Sequence, residues 1–391
     1  MTPGNPKHTS ITMPTPILFL DHASALGGAE NSLLLLLKHL DWTRWESHLV
    51  CAPGPLAEKA IALGVPSQYL EFPRLRRSPR FFLDWLAGAR AISRYAHQVG
   101  ANALYANTVR AAFYGVLAAR LARLPFIWHM RDFWLSESRP RYLWMDRLGK
   151  QLLVGSARRV ITNSRAVAEH LPNSSKISVV HNAIESERFN PNLDGQPFRS
   201  QYQVPADAPV VGVVGRLRPW KGQDRFLRAM AHIGQIMPDT QFLVVGGELF
   251  SVQDTYEEEL RNLAIQLGLS EQVIFTGQLS DVRPALAAMD VFVHPGDPEP
   301  FGLVNIEAMA MGKPVVAFGH GALPEIVVDG ETGLLVPPGD EAALADAVMA
   351  LLRDPVRRER MGQAGRARVE QYFSVPRLVR ELEKILSEVV Q

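Results

Sequence analysis

Residues 294–318 read HPGDPEPFGLVNIEAMAMGKPVVAF. A strand ends at His294, a loop of proline and glycine follows, and a helix begins near Gly302 or Leu303. The stretch closes on KPVVAF (313–318), a run of branched apolar residues that reads as the next strand. Working outward, the same style recurs along the chain. The first half carries ILFLDH (17–22), SHLVCAP (47–53), ALYANT (103–108), PFIWHM (125–130), RVITNS (159–164) and ISVVHN (177–182). The second carries PVVGVVGRL (209–217), QFLVVGG (241–247), VIFTGQ (273–278), VFVHPG (291–296) and GLLVPP (333–338). Helical segments over 31–40, 82–96, 223–237 and 255–268 separate them. Continuously apolar strands alternating with helices predict parallel sheets covered on both faces, here two α/β domains in series.

The expected organisation is a proline-bearing lead-in over 1–16, a first domain over 17–190, a linker over 191–208 and a second domain over 209–372. The linker lies in ERFNPNLDGQPFRSQYQVPADAP (187–209), which has no sustained period. Asp340 is placed to cap a helix over 341–352. A terminal helix over 373–391 carries Leu378, Leu382, Ile385 and Leu386 at helical spacing, a stripe expected to bury itself across the domain junction.

The 391 residues are 47% apolar and 21% charged, as in a soluble globular protein. One cysteine, Cys51, excludes an internal disulfide and a cysteine zinc cluster. No stretch approaches the roughly 20 apolar residues of a membrane helix, and the N-terminus lacks the apolar region of a secretory leader. A cytoplasmic location is the expectation. The net charge of +1 hides an asymmetry. Residues 1–190 hold 23 Lys and Arg against 13 Asp and Glu, a balance of +10, and the remainder balances at −9. A basic half suits an anionic ligand or a membrane surface. HExxH, GxSxG and GxxxxGK[ST] are absent, which removes the main support for a zinc hydrolase, a serine hydrolase or a P-loop enzyme.

Four strings carry the chemistry. In the opening one, the amides of Phe301, Gly302 and Leu303 are the unsatisfied donors of a helix start, an anion site by geometry and dipole. Glu299 in the loop and Glu307 in the helix are placed to accept hydrogen bonds from hydroxyls, so a sugar and a ribose on either side of a phosphate fit. In VVGVVGRLRPWKGQDRFLRAM (210–230), Arg216 and Lys221 flank a loop between strand and helix and can converge on a diphosphate. In LDHASALGGAENSLLLLLKHL (20–40), Gly27 and Gly28 let a substrate approach, although the dinucleotide fingerprint is missing. In FIWHMRDFW (126–134), His129, Arg131 and Asp132 stand at the carboxyl end of a strand, where such sheets bind ligands.

Together these strings resemble family 4 of the retaining glycosyltransferases, whose GT-B fold sets two Rossmann-like parallel-sheet domains about a cleft, with a C-terminal helix packing back across the junction. The resemblance rests on Gly27-Gly28, His129, HNAI (181–184), GRLRPWKG (215–222), EPFGLVNIE (299–307) and DGETGLLVPPGD (329–340). It implies that Arg216 and Lys221 hold the diphosphate of a nucleotide-sugar donor, Glu299 a hydroxyl of the transferred sugar and Glu307 the ribose. The Phe301, Gly302 and Leu303 amides would meet phosphate. Gly27, Gly28 and His129 would border sugar and acceptor, with His129, Arg216, Lys221 and Glu299 forming the catalytic set. The implied reaction is transfer to a hydroxyl acceptor (a glycan, a lipid-linked saccharide or a small molecule) with no required metal and no other cofactor. A nucleotide-sugar 2-epimerase of the same fold and a non-catalytic nucleotide-sugar-binding partner are the alternatives. No nucleic-acid-binding module is recognisable.

One further stretch, FPRLRRSPRFFLDWL (72–86), interleaves Arg74, Arg76, Arg77 and Arg80 with Phe81, Phe82 and Trp85. That is the composition of a membrane-surface or anionic-acceptor element, and it suggests peripheral attachment at the inner face of the membrane.

Overall fold

A computed structural model of the chain describes residues 13–73, 79–135, 139–247 and 255–391, with only the backbone of Pro79 and Arg80. Its contacts divide into two compact units, one formed by 13–162 with Ala168–Val180 and Val379–Gln391, the other by Asn163–Val167 and His181–Leu378. In chain order the first unit comprises β1 (Thr15–Leu20), α1 (Gly28–His39), β2 (Trp45–Cys51), α2 (Pro55–Ala62), β3 (Ser67–Tyr69), α3 (Pro79–Gln98) and β4 (Ala103–Ala106). It continues with α4 (Val109–Ala122), β5 (Phe126–Met130), α5 (Leu143–Ser156), β6 (Arg159–Thr162), part of α6 (Arg165–Ala168) and β7 (Ile177–Val179). The strands lie in the order β3-β2-β1-β4-β5-β6-β7, every pairing parallel.

The second unit begins with α7 (Gln196–Gln201), β8 (Val210–Val214), α8 (Gln223–Ile236), β9 (Gln241–Val245), α9 (Tyr256–Gln266), β10 (Val273–Gly277) and α10 (Arg283–Ala288). Then come β11 (Val291–His294), α11 (Leu303–Ala310), β12 (Val315–Phe318), α12 (Leu323–Ile326), β13 (Gly333–Val336), α13 (Glu341–Leu352), α14 (Pro355–Tyr372) and the start of α15 (Val375–Val390). Its parallel sheet runs β10-β9-β8-β11-β12-β13.

Alternation along the strands explains why this sheet is covered twice. Val211, Val213, Phe242, Val244, Val291, Val293, Val316 and Phe318 point to a core shared with α8, α9 and α13. Their neighbours Val210, Leu243, Val245, Phe292, Val315 and Ala317 point the other way, into a core shared with α10, α11 and α12. Asp340 caps α13 as expected, its side chain accepting from the Ala343 amide at 2.8 Å. Every strand anticipated from the apolar runs is present. Only β3 had no such signal: Ser67-Gln68-Tyr69 is three residues long and forms by pairing with Leu49, Val50 and Cys51 at the sheet edge. The apolar stripe of α15 is buried, and from Val379 onward the helix belongs with the first unit. There Glu383 accepts from the Asp41 amide at 2.8 Å and Glu388 pairs with Arg159 at 2.9 Å.

Candidate active site

In the second unit β8 and β11 are neighbours, yet the chain leaves them in opposite directions across the sheet. The crevice at their carboxyl ends is where open parallel sheets bind ligands. Close backbone packing builds its walls. Gly222 has φ +73°, and a Cβ there would stand 2.2 Å from the Pro295 oxygen. Gly246, with φ +144°, would place one 1.9 Å from the Gly215 oxygen. The loops after β8, β9 and β11 are thus seated on one another, and larger residues at these two glycines would push them apart.

That packing holds Glu299. The Asp297 amide donates to the Trp220 oxygen at 2.7 Å, Arg225 pairs with Asp297 at 2.6 Å, and the Ala322 amide donates to the Glu299 oxygen at 2.9 Å. His320 Nε2 lies 2.9 Å from the Gly296 oxygen. Within this frame the Lys221 ammonium donates to Glu299 Oε1, and His294 Nε2 stands 3.6 Å from the same oxygen. Burial alone would raise the Glu299 carboxyl, but Lys221 and His294 outweigh it and hold the group well below the usual carboxylate range. Glu299 is therefore a fixed, ionised acceptor. Arg216, from the same loop as Lys221, is exposed.

Helix α11 starts directly after this loop. Gly302 is its N-cap, at φ 86°, and the first turn contains no acidic residue. The Phe301, Gly302 and Leu303 amides accordingly meet no carboxylate of the helix itself, and the positive end of the dipole is open to an anion. One turn on, Glu307 is half-buried, and burial pushes its carboxyl up to about 7, with Arg188 pulling weakly the other way. The second unit thus brings Lys221, His294 and Glu299 together just before the start of α11, with Arg216 on the same loop as Lys221 and Glu307 one turn into the helix.

The first unit has the equivalent crevice between β1 and β4, and it is filled differently. Asp21, after β1, and Asn107, after β4, are wholly buried. Asn107 Nδ2 donates to Asp21 Oδ2 at 2.7 Å and to the Ala29 oxygen at 3.1 Å, while its Oδ1 accepts from Arg131 Nε at 2.8 Å. Burial and the nearby Glu30 carboxylate push Asp21 up to about 7. Gly27 and Gly28 lie at the start of α1, where Glu30 Oε2 accepts the Gly27 amide at 2.8 Å. A Cβ on Gly27 would approach that oxygen to 2.9 Å, so the small residue serves a carboxylate of the same loop. His129 is wholly enclosed, its Nδ1 hydrogen-bonded to the Tyr105 hydroxyl at 2.5 Å, and its Nε2 has no hydrogen-bond partner among the described residues. Burial, and then the Arg131 guanidinium, push it well below the ordinary imidazole value, so the ring is neutral.

Residues 26–188 match the family model for Glycosyltransferase Family 4, and residues 195–368 that for Glycosyl transferases group 1. Over nearly the whole chain it is similar to HepE of Anabaena, solved with UDP and glucose: 30% identical, TM-score 0.81, covering 95% of this chain and 99% of that one. The chain belongs to family 4 of the glycosyltransferases.

The fold is accordingly that of GT-B enzymes. Among curated relatives, a GDP-mannose-dependent phosphatidylinositol monomannoside mannosyltransferase of Mycolicibacterium smegmatis is 40% identical over 211 residues, 51% of each chain. The lipopolysaccharide core mannosyltransferase LpsB of Rhizobium meliloti is 31% identical over 236 residues, 59% of this chain and 66% of LpsB. The matches span about half the length of the first such relatives.

Sequence reasoning did not single out Asp21, Glu30, Tyr105, Asn107, His294 or His320 in this family 4 chain. The available signal was position: Asp21, Asn107 and His294 each stand at or just past the carboxyl end of a strand beside a switch point. Of the basic arm, Arg74, Arg76 and Arg77 lie outside the described residues, as does the Arg80 side chain. Its aromatics divide. Trp85 Nε1 donates to the Phe113 oxygen at 2.8 Å, whereas Phe82 is 57% exposed.

Proposed function

We propose that this chain is a retaining glycosyltransferase, moving a sugar from a nucleoside diphosphate sugar to a hydroxyl of a glycan or lipid-linked acceptor. The observation that carries the proposal is the meeting, at the second unit's switch point, of Lys221 with Glu299 beside the acid-free start of α11, with Arg216 exposed on the same loop as Lys221. The donor diphosphate lies against Arg216, Lys221 and the Phe301–Leu303 amides and competes with Glu299 for the lysine. Glu299 accepts a hydroxyl of the sugar and Glu307 the ribose. The bond from the anomeric carbon to the phosphate oxygen breaks, the acceptor oxygen bonds to the same face of that carbon, and the acceptor's proton passes to the departing phosphate. The two cations stabilise the charge on that leaving group, so the reaction runs without a metal. GDP-mannose for the mycobacterial relative, and UDP with glucose for HepE, support the donor class.

The phosphatidylinositol and lipopolysaccharide acceptors named for two relatives support a lipid-linked acceptor. Such an acceptor would place the protein peripherally at the cytoplasmic face of a membrane; no helix of the described residues is long and apolar enough to cross one. The test is a panel of labelled nucleoside diphosphate sugars offered with lipid-linked and soluble acceptors, the anomeric configuration read by NMR and the assay repeated with chelator. Transfer with retention, insensitive to chelator, is expected. Inversion, epimerisation of the donor at C2, or binding without turnover would each overturn the proposal.

A further inference from the structure

Helix α5 of the first unit turns an aspartate and a lysine inward and several large apolar residues outward. Asp146 and Lys150 are buried and paired at 2.6 Å. Lys150 also donates to the Phe133 oxygen at 2.7 Å and stands over the Trp134 ring, while Asp146 accepts the Leu135 amide at 2.9 Å. These bonds tie the buried side of α5 to the loop after β5 and so fix its rotation. The opposite side carries Trp144, Leu148 and Leu152, four residues apart and 64%, 48% and 64% exposed. Met145 and the preceding Tyr142 extend the patch. Six of the nineteen large exposed apolar residues described in the chain fall within 142–152.

A solvated surface helix is polar on its outer face, so this one calls for a partner. The other exposed side chains along it are Arg141, Arg147 and Gln151, with Arg139 just before. No exposed acid lies between Arg139 and Gly155. An apolar strip with tryptophan, flanked along the helix by Arg141 and Arg147, fits a bilayer interface with anionic headgroups: the leucines enter the acyl boundary and the guanidinium groups stay at headgroup level. Place strengthens the match. The helix starts beyond the carboxyl end of β5, the edge of the sheet at which such folds take their ligands.

We infer that the outward face of α5, centred on Trp144, Leu148 and Leu152 and flanked by Arg141 and Arg147, docks on an anionic lipid surface. The inference deepens the reading of a membrane-surface acceptor and rests on it. The experiment is co-sedimentation of the full chain with vesicles of phosphatidylcholine alone and of phosphatidylcholine with phosphatidylglycerol. Wild type is compared with a W144Q/L148Q/L152Q variant and with R141S/R147S. Wild type is expected to bind the anionic vesicles, less so at high salt, with Trp144 fluorescence quenched by brominated acyl chains. The triple glutamine variant should partition at least tenfold more weakly and lose the quenching, and the arginine variant should lose most of the salt dependence. Turnover of a soluble hydroxyl acceptor should be unchanged in both.

Anionic-vesicle binding that survives the triple variant overturns the α5 surface while leaving the membrane reading intact. A wild type that ignores anionic vesicles overturns both, and the soluble-acceptor assay still reports on glycosyl transfer. Self-association of wild type without vesicles, abolished in the triple variant, would assign the face to a second copy and overturn the lipid inference.

Discussion

The two units share a topology and differ at its switch point. In the first, the crevice between β1 and β4 is occupied by the protein's own groups: Asp21, Asn107 and Arg131 bond to one another, and the start of α1 has Glu30 in its first turn. In the second, the start of α11 has no such carboxylate in its first turn, and the nearby Lys221 donates to the Glu299 side chain. The same strand order therefore makes a closed structural knot in one place and, in the other, a helix start with no acidic residue in its first turn, which is the proposed anion site. The difference lies in whether the first helical turn carries its own negative charge. Fold alone does not locate a site.

The largest effect expected from breaking the open side is kinetic. Arg216→Ala or Lys221→Ala should lower kcat/KM roughly 10²- to 10³-fold, the range for losing one charge-stabilising contact in a transition state. Arg216 is exposed, so its variant should keep the wild-type melting temperature. Lys221→Ala should also melt earlier, because Glu299 loses its cation. Turnover by either variant within about threefold of wild type would remove that residue from the site.

Breaking the closed side should cost stability and spare nucleotide binding. Asn107→Ala removes three hydrogen bonds and leaves Asp21 and Arg131 short of a buried partner. A loss of about 2–3 kcal/mol in denaturant unfolding is expected, with the affinity for nucleoside diphosphate unchanged by calorimetry. Weakened nucleotide binding at wild-type stability would show that the first unit's crevice is a ligand site instead.

The two carboxylates of the open side can be separated by ligand. Glu307→Ala should weaken nucleoside diphosphate binding about tenfold, or 1.4 kcal/mol, since the ribose is present in that ligand. Glu299→Ala should spare nucleoside diphosphate and weaken only the intact donor. Equal losses for both ligands in both variants would dissolve the division of labour.

The smallest effect is in pH. The Glu307 carboxyl ionises at about 7 in the folded chain against an ordinary value of 4.5. Between those values the folded state holds a proton that the unfolded state releases, so this group makes stability fall as pH rises through the window. Nucleoside diphosphate binding should strengthen over the same rise, as the carboxylate that accepts the ribose forms. Glu307→Gln should flatten the binding trend and lessen the stability trend, of which Asp21, also raised to about 7, keeps its own share. Unchanged pH profiles in Glu307→Gln would assign the titration elsewhere.

Much of the open site was legible before any coordinates. The helix start at Leu303, its glycine N-cap, the loop cations and the Asp340 cap all depend on residues within a few positions of one another, and local rules read such features directly. The closed knot was not legible. Asp21 and Asn107 are 86 residues apart, and only the order of β1 and β4 brings them to one hydrogen bond.

What the sequence by itself determined is most of the element set: twelve of the thirteen strands, the helices α1, α3, α8, α9, α11, α13 and α15 but not α4, α5 or α14, and the opposed charge of the two halves. What only the tertiary structure decided is which groups are already satisfied. Leu148 and Leu152 of α5 are apolar residues four apart, yet the buried Asp146–Lys150 pair leaves them on the outward side. His129 reads as a ligand-facing histidine, yet its ring is enclosed beside Tyr105. The physical reason is the same in each case. Periodicity and propensity are local, whereas the cost of burying a charge or a ring nitrogen depends on partners that arrive from other strands.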